Sequence, residues 1–457
     1  MADVHIRIIR KKFDMKRNIS LFLYMFLLCA TVQAQEVWSL EKCIQHAAQN
    51  NLSLRQAEIT VQQAELDKKT NEFSRYPNLE GQISGGFNFG RTIVPTTNDF
   101  INDRIGNSRI SLNSNMTVYN GGRINNSIKQ SELNIQAARA DAETFANDVA
   151  LQISQAYLNV LLAQEQVVIS EKQVAQTQTQ LTQTDKRIQA GVLPKNERLE
   201  ILAQKARNQQ NAIAAQNNVA INLLTLKNFL ELEPSFNLAV AVPENIPLAT
   251  MDELLSLETI YNQALETQPS IKASELKMQS AELNIPIAKS QGLPSVFLFG
   301  SINSNYANVK SITTEPGYFR QLDINLGQTI GAQVNIPIYN RNATKIAVEQ
   351  ARLGIINAEV QNRQAKQQLK ADVQTAIANA RAGKAQLAAS EVALEAAKAS
   401  LTNADRMFEL GAINTLEFTN AKTNFDTAEL DVVRAKYDYL FLLKIIDFYL
   451  GKNLSLD

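Results

Sequence analysis

The body of this chain is written twice, and each copy sets two short alternating segments between very long heptad-patterned ones. Leu40, Ala47, Ser53 and the run Ala64, Glu65, Leu66 recur 217 residues later as Leu257, Ala264, Ser270 and Ala281, Glu282, Leu283, and Pro77 recurs as Pro294. Past the alternating segments the offset becomes 220. Tyr119 and Asn120 then match Tyr339 and Asn340, Leu181 matches Leu401, Asp185 matches Asp405 and Gly191 matches Gly411. The slip falls between the two strands of a copy, where a surface loop absorbs insertion. The duplication predicts one intertwined, pseudo-symmetric unit in place of the two or three domains that 457 residues would ordinarily suggest.

The alternating segments have period two. In the first, Leu79, Gly81, Ile83, Gly85, Phe87 and Phe89 share a face opposite Glu80, Gln82, Ser84 and Asn88. The second sets Ile110, Leu112, Met116 and Val118 against Ser111, Asn113, Asn115 and Thr117. The other copy repeats this with Val296, Leu298, Ile302 and Tyr306, then with Ile330, Ala332, Val334, Ile336 and Ile338. Strands of about ten residues suit a tilted crossing of a bilayer. Pro77 and Pro294 stand at the strand entries, and Tyr119 and Tyr339 at the matching exits, where an interfacial aromatic belt belongs. Polar connections, roughly Arg91 to Asn107 and Ala307 to Asp323, read as outer loops. Four strands cannot close a barrel, and open edges in hydrocarbon cost several kcal/mol per unpaired group. Copies of the chain must therefore pool strands. Eight strands leave an interior that side chains fill, whereas twelve leave room for water.

Ile153, Val160, Val167, Val174, Leu181 and Ile188 fall seven apart, as do Val373, Ala380, Leu387, Leu394, Leu401 and Phe408. A strict seven-residue repeat under-winds a helix and imposes a left-handed supercoil. A helix from about Arg123 to Ala190 is on the order of 100 Å long. Gly191 and Gly411 stop the two long helices as left-handed caps. Pro194 is placed to start one returning helix and Asn414 to cap the other, with returns to about Leu230 and Leu450.

The start carries Lys16 and Arg17, an apolar run from Leu21 to Ala30, and small residues Val32 and Ala34 before Gln35, the three parts of a cleavable export signal. That signal is complete if translation begins at Met15. A lipid anchor at Cys29 competes with it, although Leu28 occupies the place where a small residue is expected. The expected organisation is a signal over 1–34, a first repeat over 35–230, a linker over 231–252, a second repeat over 253–450 and a tail over 451–457. The linker, with Pro234, Pro243 and Pro247 around the apolar run Leu238 to Val242, reads either as a belt packed on the helices or as a plain connection. Cleavage would leave Cys43 as the only thiol, so no intramolecular disulfide can form. Lys and Arg total 45 against 45 Asp and Glu, which recommends no nucleic-acid partner. His46 and Cys43 alone make no metal site, and no phosphate loop or nucleophile motif is present, so no cofactor and no catalytic residue is expected.

Together, the duplicated order of helix, strand, strand, helix, helix, the Pro77 and Pro294 entries, the strand exits through Tyr119-Asn120 and Tyr339-Asn340, and the tips Gly191-Val192-Leu193-Pro194 and Gly411-Ala412-Ile413-Asn414 resemble the TolC family of outer membrane efflux proteins. The resemblance covers essentially the whole mature chain. It implies a mainly α fold with a transmembrane β-barrel: a homotrimer whose twelve-stranded barrel continues into a helical barrel extending into the periplasm. It implies a passive exit duct in the outer membrane lipid, for tripartite efflux or type I secretion. Its tips would dock to a periplasmic adaptor (membrane fusion) protein and an inner-membrane pump of RND or ABC type. By position after the tip glycine, Glu417 and Asn420 fall where the family's pore-constricting acids sit, with Glu197 in the equivalent place of the first copy. Asn420 departs from the acid. A Glu three residues after Asn414 is also what a helix N-terminus favours, so constriction and plain capping both stay open. A periplasmic coiled-coil adaptor or scaffold is the alternative. It explains the heptads but not four amphipathic strands at matched places.

Overall fold

The computed structural model describes residues 36–93, 98–242, 256–309, 316–452 and 454. The export signal with Met15 and Cys29, the linker from Pro243 onward, and most of the tail lie outside the described residues. Strand β1 (Glu36–Trp38) leads into α1 (Leu40–Asn50) and α2 (Leu52–Phe73), then β2 (Glu80–Ile93), β3 (Phe100–Asn120), the 67-residue α3 (Arg123–Gln189) and α4 (Glu197–Phe229). After β4 (Leu238–Val240) come α5 (Leu257–Thr267), α6 (Pro269–Glu282), α7 (Asn284–Ser290), β5 (Ser295–Val309), α8 (Tyr318–Ile324), β6 (Gly327–Asn335), the 67-residue α9 (Ala343–Glu409) and α10 (Thr415–Tyr449). The long helices begin and end at positions offset by 220, each spanning about 100 Å.

Beside each long helix, two shorter pieces that are distant in sequence meet end to end. Asn51 uses its carboxamide twice: Nδ2 donates to the Phe229 carbonyl at the end of α4 (3.0 Å), and Oδ1 accepts from Ser53 and Leu54 at the start of α2. In the second copy Gln268, 217 residues on, donates to the Phe448 carbonyl near the end of α10 (3.2 Å) and precedes α6. One amide thus satisfies orphan groups at the end of one helix and, in the first copy, at the start of the next. Caps are duplicated likewise, with Ser39 accepting from Lys42 and Ser256 from Thr259, both at 3.2 Å.

The main core sits midway along α3, where β1 pairs in parallel with β4. Trp38, Leu40, Cys43, Leu230, Leu238 and Val240 close over Ile153, Tyr157 and Val160. The Tyr157 hydroxyl donates to the Ala241 carbonyl (2.7 Å) and lies 3.1 Å from that of Trp38, so the linker's apolar run is a belt element on the helices. Nearer the tip the buried surface of α3 keeps Leu181 of the heptad line and widens to Gln173, Thr177 and Thr184, with Asn208 donating to Thr177 (2.8 Å). The helix faces two neighbours there, so a single heptad line no longer describes its contact surface.

The sheet order is β2-β3-β5-β6, antiparallel throughout and open at both ends. Three of the strands expected at about ten residues are longer, at 14, 21 and 15, while β6 has 9. Much of the stretch from Arg91 to Asn107 is paired strand: the ladder continues through Arg91↔Asn102 to Ile93↔Phe100. Polarity reports that both faces of this ribbon are wet, not that its backbone is unpaired. Between Ala307 and Asp323, β5 runs on to Val309 and α8 begins at Tyr318. The Gln321 side chain pairs with both backbone groups of Ala307 (3.1 and 3.0 Å), sealing the β5 edge beyond the start of β6. β6 stops at Asn335, which leaves Ile336, Ile338 and Tyr339 outside the strand, because Pro337 has no N–H to continue a ladder.

Candidate functional site

Register sorts the sheet into two faces. Ile83 stands opposite Ile110, Phe87 opposite Gly106, Leu112 opposite Ile302 and Gly300 opposite Ile330, so one continuous apolar face crosses all four strands. Its side chains are left open by the single chain: Phe89 is 77% and Ile330 92% exposed. The reverse face carries Gln82, Ser84, Ser111, Asn113, Ser301 and Thr329. It is not wholly polar. Phe297 and Phe299 alternate onto it, and the Phe299 ring covers Gly331 so closely that a Cβ there would lie 2.6 Å from the ring. Alternation had singled out Val296 and Leu298 and passed over these two rings.

A bulge sets the fate of the exit tyrosine. Thr117 is opposite Phe297 but Tyr119 is opposite Val296, so Val118 is the extra residue and Tyr119 moves onto the apolar face. Val118 therefore does not continue the alternation read from sequence. Tyr119 and Tyr339 are both exposed, Tyr339 at 79%.

At the tips, Gly191 (φ +72°) and Gly411 (φ +70°) each complete a Schellman motif. Val192 N–H bonds the Arg187 carbonyl (2.9 Å) and Ala412 N–H that of Met407 (2.8 Å). Beyond this the tips differ. Asn414 caps α10 by accepting from the Glu417 N–H (2.9 Å), while its Nδ2 reaches back to Glu417 Oε1 (3.4 Å). In the first copy Pro194 does not start the return. A turn through Lys195 and Asn196 intervenes and α4 begins at Glu197, with no side-chain cap. The second tip holds a small core, Phe408 stacked on Phe418 at 5.1 Å with Ile413 packed against them. In the first, Arg198 stands at the place of Phe418 and forms an ion pair with Asp185 at 2.8 Å. Val192 is exposed and Leu193 half-buried.

Among the described residues no hydrogen bond or ion pair joins the candidate constriction residues to one another. Glu417 and Asn420 are exposed one turn apart on α10, whereas Glu197 is half-buried with Oε2 enclosed and lacking a hydrogen-bond partner. Sequence reasoning missed a polar clamp behind them. Lys422 and Asp426, both buried on α10, pair at 3.2 Å, and Lys422 also donates to Gln176 of α3 (3.0 Å). Burial raises the Asp426 carboxyl above its ordinary value, with Lys422 pulling the other way. Lys172–Glu429 at 2.8 Å lies along the same seam, and Arg187 donates to the Glu409 carbonyl at 2.9 Å, so the two hairpins are tied near the tip. The available signal was a Lys and an Asp four apart on the buried stripe that continues from Phe418. Cys43 is fully buried with its thiol pushed up to about 12, and among the described residues no group of His, Cys, Asp and Glu is placed to hold a metal ion.

The sequence profile described as "Outer membrane efflux protein" matches residues 43–230 and 260–451. The outer membrane efflux protein BepC of Brucella suis biovar 1 (strain 1330) is 23% identical over 362 residues, covering 78% of this chain and 74% of that one. The outer membrane protein TolC of Vibrio cholerae serotype O1 is 25% identical over 308 residues, covering 67% and 68%. Among solved structures, a crystal structure of CusC superposes with a TM-score of 0.74 at 19% identity, covering 93% of this chain and 96% of that one.

Proposed function

The chain belongs to the outer membrane efflux protein family and is a passive outer membrane channel with a helical part in the periplasm, and from that premise we propose that three copies close one duct whose tips engage a periplasmic adaptor. The observation carrying this reading is a seam left open on each side of the chain. In the second copy, α6 is wedged between both long helices: Lys277 pairs with Asp141 of α3 (2.8 Å), and Glu275 with Lys366 of α9 (2.7 Å). Among the described residues its counterpart α2 is partnered on one side, through Arg139–Glu65 (2.7 Å) and Asn71–Ser131 (2.8 Å) to α3. The other side of α2 exposes Ile59, Leu66 and Phe73, seven apart, and the free side of α9 exposes Ile346, Leu353 and Val360, also seven apart. Repeating the internal α6 arrangement between chains sets one seam on the other and brings β6 beside the next chain's β2.

Three chains give twelve strands and a lumen wide enough for water, where two would give a filled barrel. Glu197, Glu417 and Asn420 are assigned to the constriction at the periplasmic end. Gly191, Val192, Leu193, Pro194 and Gly411, Ala412, Ile413, Asn414 form two unequal docking surfaces, one closed by an ion pair and one by stacked rings. An adaptor and an inner-membrane pump of RND or ABC type supply the contacts and the energy. Site-specific photocrosslinkers at Val192 and Ala412, introduced in cells, are expected to capture a periplasmic protein that a crosslinker at Gln178, up the shaft, does not. Capture equal at all three positions, or at none, contradicts tip docking.

A further inference from the structure

Charge is sparse on the reverse face of the sheet. Among the described residues of the four strands that face carries one acid, Glu80, and one base, Arg109, both exposed. Arg109 is opposite Ser84 on β2 and Asn305 on β5, and its diagonal neighbours Gln82, Gly86, Asn303 and Ala307 are uncharged too. Glu80 lies four residues below Ser84, about 14 Å along the strand. That exceeds the Debye length of about 10 Å at 0.1 M salt, so the acid leaves the field of the base standing. The second copy adds no charge at either place. Ser84↔Arg109 in one copy corresponds to Ser301↔Thr329 in the other, and Phe297 stands where Glu80 does, at the same offsets of 217 and 220.

Height fixes what this arginine does. On the outward face the apolar side chains run from Leu79 to Phe89, and Ser84 is five residues from each. At a tilt of about 45° the Arg109 position is therefore about 12 Å from either end of an apolar band about 25 Å tall. It stands at the middle of the membrane. A charge at that depth is tolerable only toward water, which the reverse face supplies if it lines the duct. Hydrocarbon behind the wall is a low-dielectric sleeve, and such walls focus the field of a lumen charge along the pore. Serine, asparagine and glutamine keep the rest of the face wet without charge, so wetting alone gives no reason for a cation here. Rings of arginine are what a pore uses to favour anions, and a guanidinium meets a carboxylate or phosphate with two parallel N–H donors.

We propose that Arg109 is the charge-selecting residue of the barrel: three copies form a mid-membrane belt that concentrates and transiently binds anionic solutes bearing carboxylates or phosphates as they pass through the duct. The belt holds three charges in six pseudo-equivalent places, alternating arginine with Thr329. The proposal rests on the trimeric channel with its apolar face outward.

The test uses the full mature chain inserted in planar bilayers, with tripolyphosphate as the probe anion on both sides. At about 0.1 M salt the concentration that halves the current is expected to rise at least about tenfold in Arg109→Gln and to change little in Arg109→Lys, which keeps the charge. At about 1 M salt the Debye length is about 3 Å, and the Gln variant should converge on the wild type. An unchanged half-blocking concentration in Arg109→Gln overturns the proposal. So does a loss in Arg109→Lys as large as that in the Gln variant, or a difference undiminished at high salt. If Arg109→Gln fails to insert, Thr329→Arg decides, because filling the three neutral places should tighten the block and no tightening overturns the belt. A charged methanethiosulfonate reagent separates this site from the reading beneath it. Current through Ser111→Cys channels should fall on modification and that through Ile110→Cys should not, the native Cys43 being buried and silent. The reverse pattern refutes the orientation of the sheet, whereas the expected pattern with an indifferent Arg109→Gln refutes the belt alone.

Discussion

Individual side chains in the periplasmic part are placed by burial more than by chemistry. Cys43 is enclosed and its thiol is held near 12, so a maleimide at pH 8 should leave the native protein unlabelled and label it after denaturation. Labelling of native protein at the rate of a free thiol contradicts its place in the core. The Lys422–Asp426 pair makes a sharper test. Lys422→Met strands a carboxylate in a buried seam, expected to cost about 3–5 kcal/mol, whereas Lys422→Met/Asp426→Leu should recover most of it. An acid whose folded pKa is raised contributes stability present below its unfolded value and lost as pH rises through the folded one. The Lys422→Met deficit, read as faster hydrogen exchange at the tip, should therefore be largest at neutral pH and shrink as pH falls through the raised value toward about 4. A deficit independent of pH removes Asp426 as its cause. Glu417 joins an exposed N-cap with Asn414, and its second role is tested electrically. If Glu417→Gln leaves cation selectivity and conductance of reconstituted channels unchanged, Glu417 is a helix cap and not a constriction.

At the level of elements, the long helices were the most legible part of the sequence and the sheet the least. A 67-residue helix writes its seam as a seven-residue period, and its stop as a glycine that alone takes φ near +70° without strain. Changing Gly411 to Val should therefore cost about 1–2 kcal/mol and fray the last turn of α9, detectable as loss of amide protection around Met407. The polar end of the β2–β3 ribbon had no such signature, because alternation disappears when both faces meet water. The bulge at Val118 follows from pairing with β5 and cannot be seen in β3 alone. Asn51 and Gln268 escaped notice for a related reason: each stands where a helix cap would, and the carbonyl it reaches lies 178 or 180 residues away. The tip residues were located by their glycines. That one tip closes on an ion pair and the other on two phenyl rings depended on which side chains converge across the turn. The exposed seams make the element-scale test of assembly. Leu66→Asp or Leu353→Asp should weaken association while leaving the hairpins folded, whereas Leu276→Asp, at the α2-equivalent place in α6, should disturb the chain itself. Equal effects from all three would remove the distinction between inner and outer seams.

For the whole molecule, the duplication means that one chain already contains a finished example of the joint that the proposed assembly would repeat between chains. α6 between α3 and α9 shows how a short helix fills the gap between two long ones, and α2 waits for the same closure from another chain. The sheet repeats the message: β2 and β6 are edges with an apolar face beside them, and neither is tenable in lipid without a partner. In the proposed trimer, closure by three chains would join twelve strands, six long helices and six tips around one axis. The most direct measurement is the mass of the intact detergent-solubilised particle by native mass spectrometry, with lipid and detergent stripped in the gas phase. The account predicts three times the mass of the mature chain. A particle of two chains, or a stable monomer that still conducts ions in a bilayer, would contradict it.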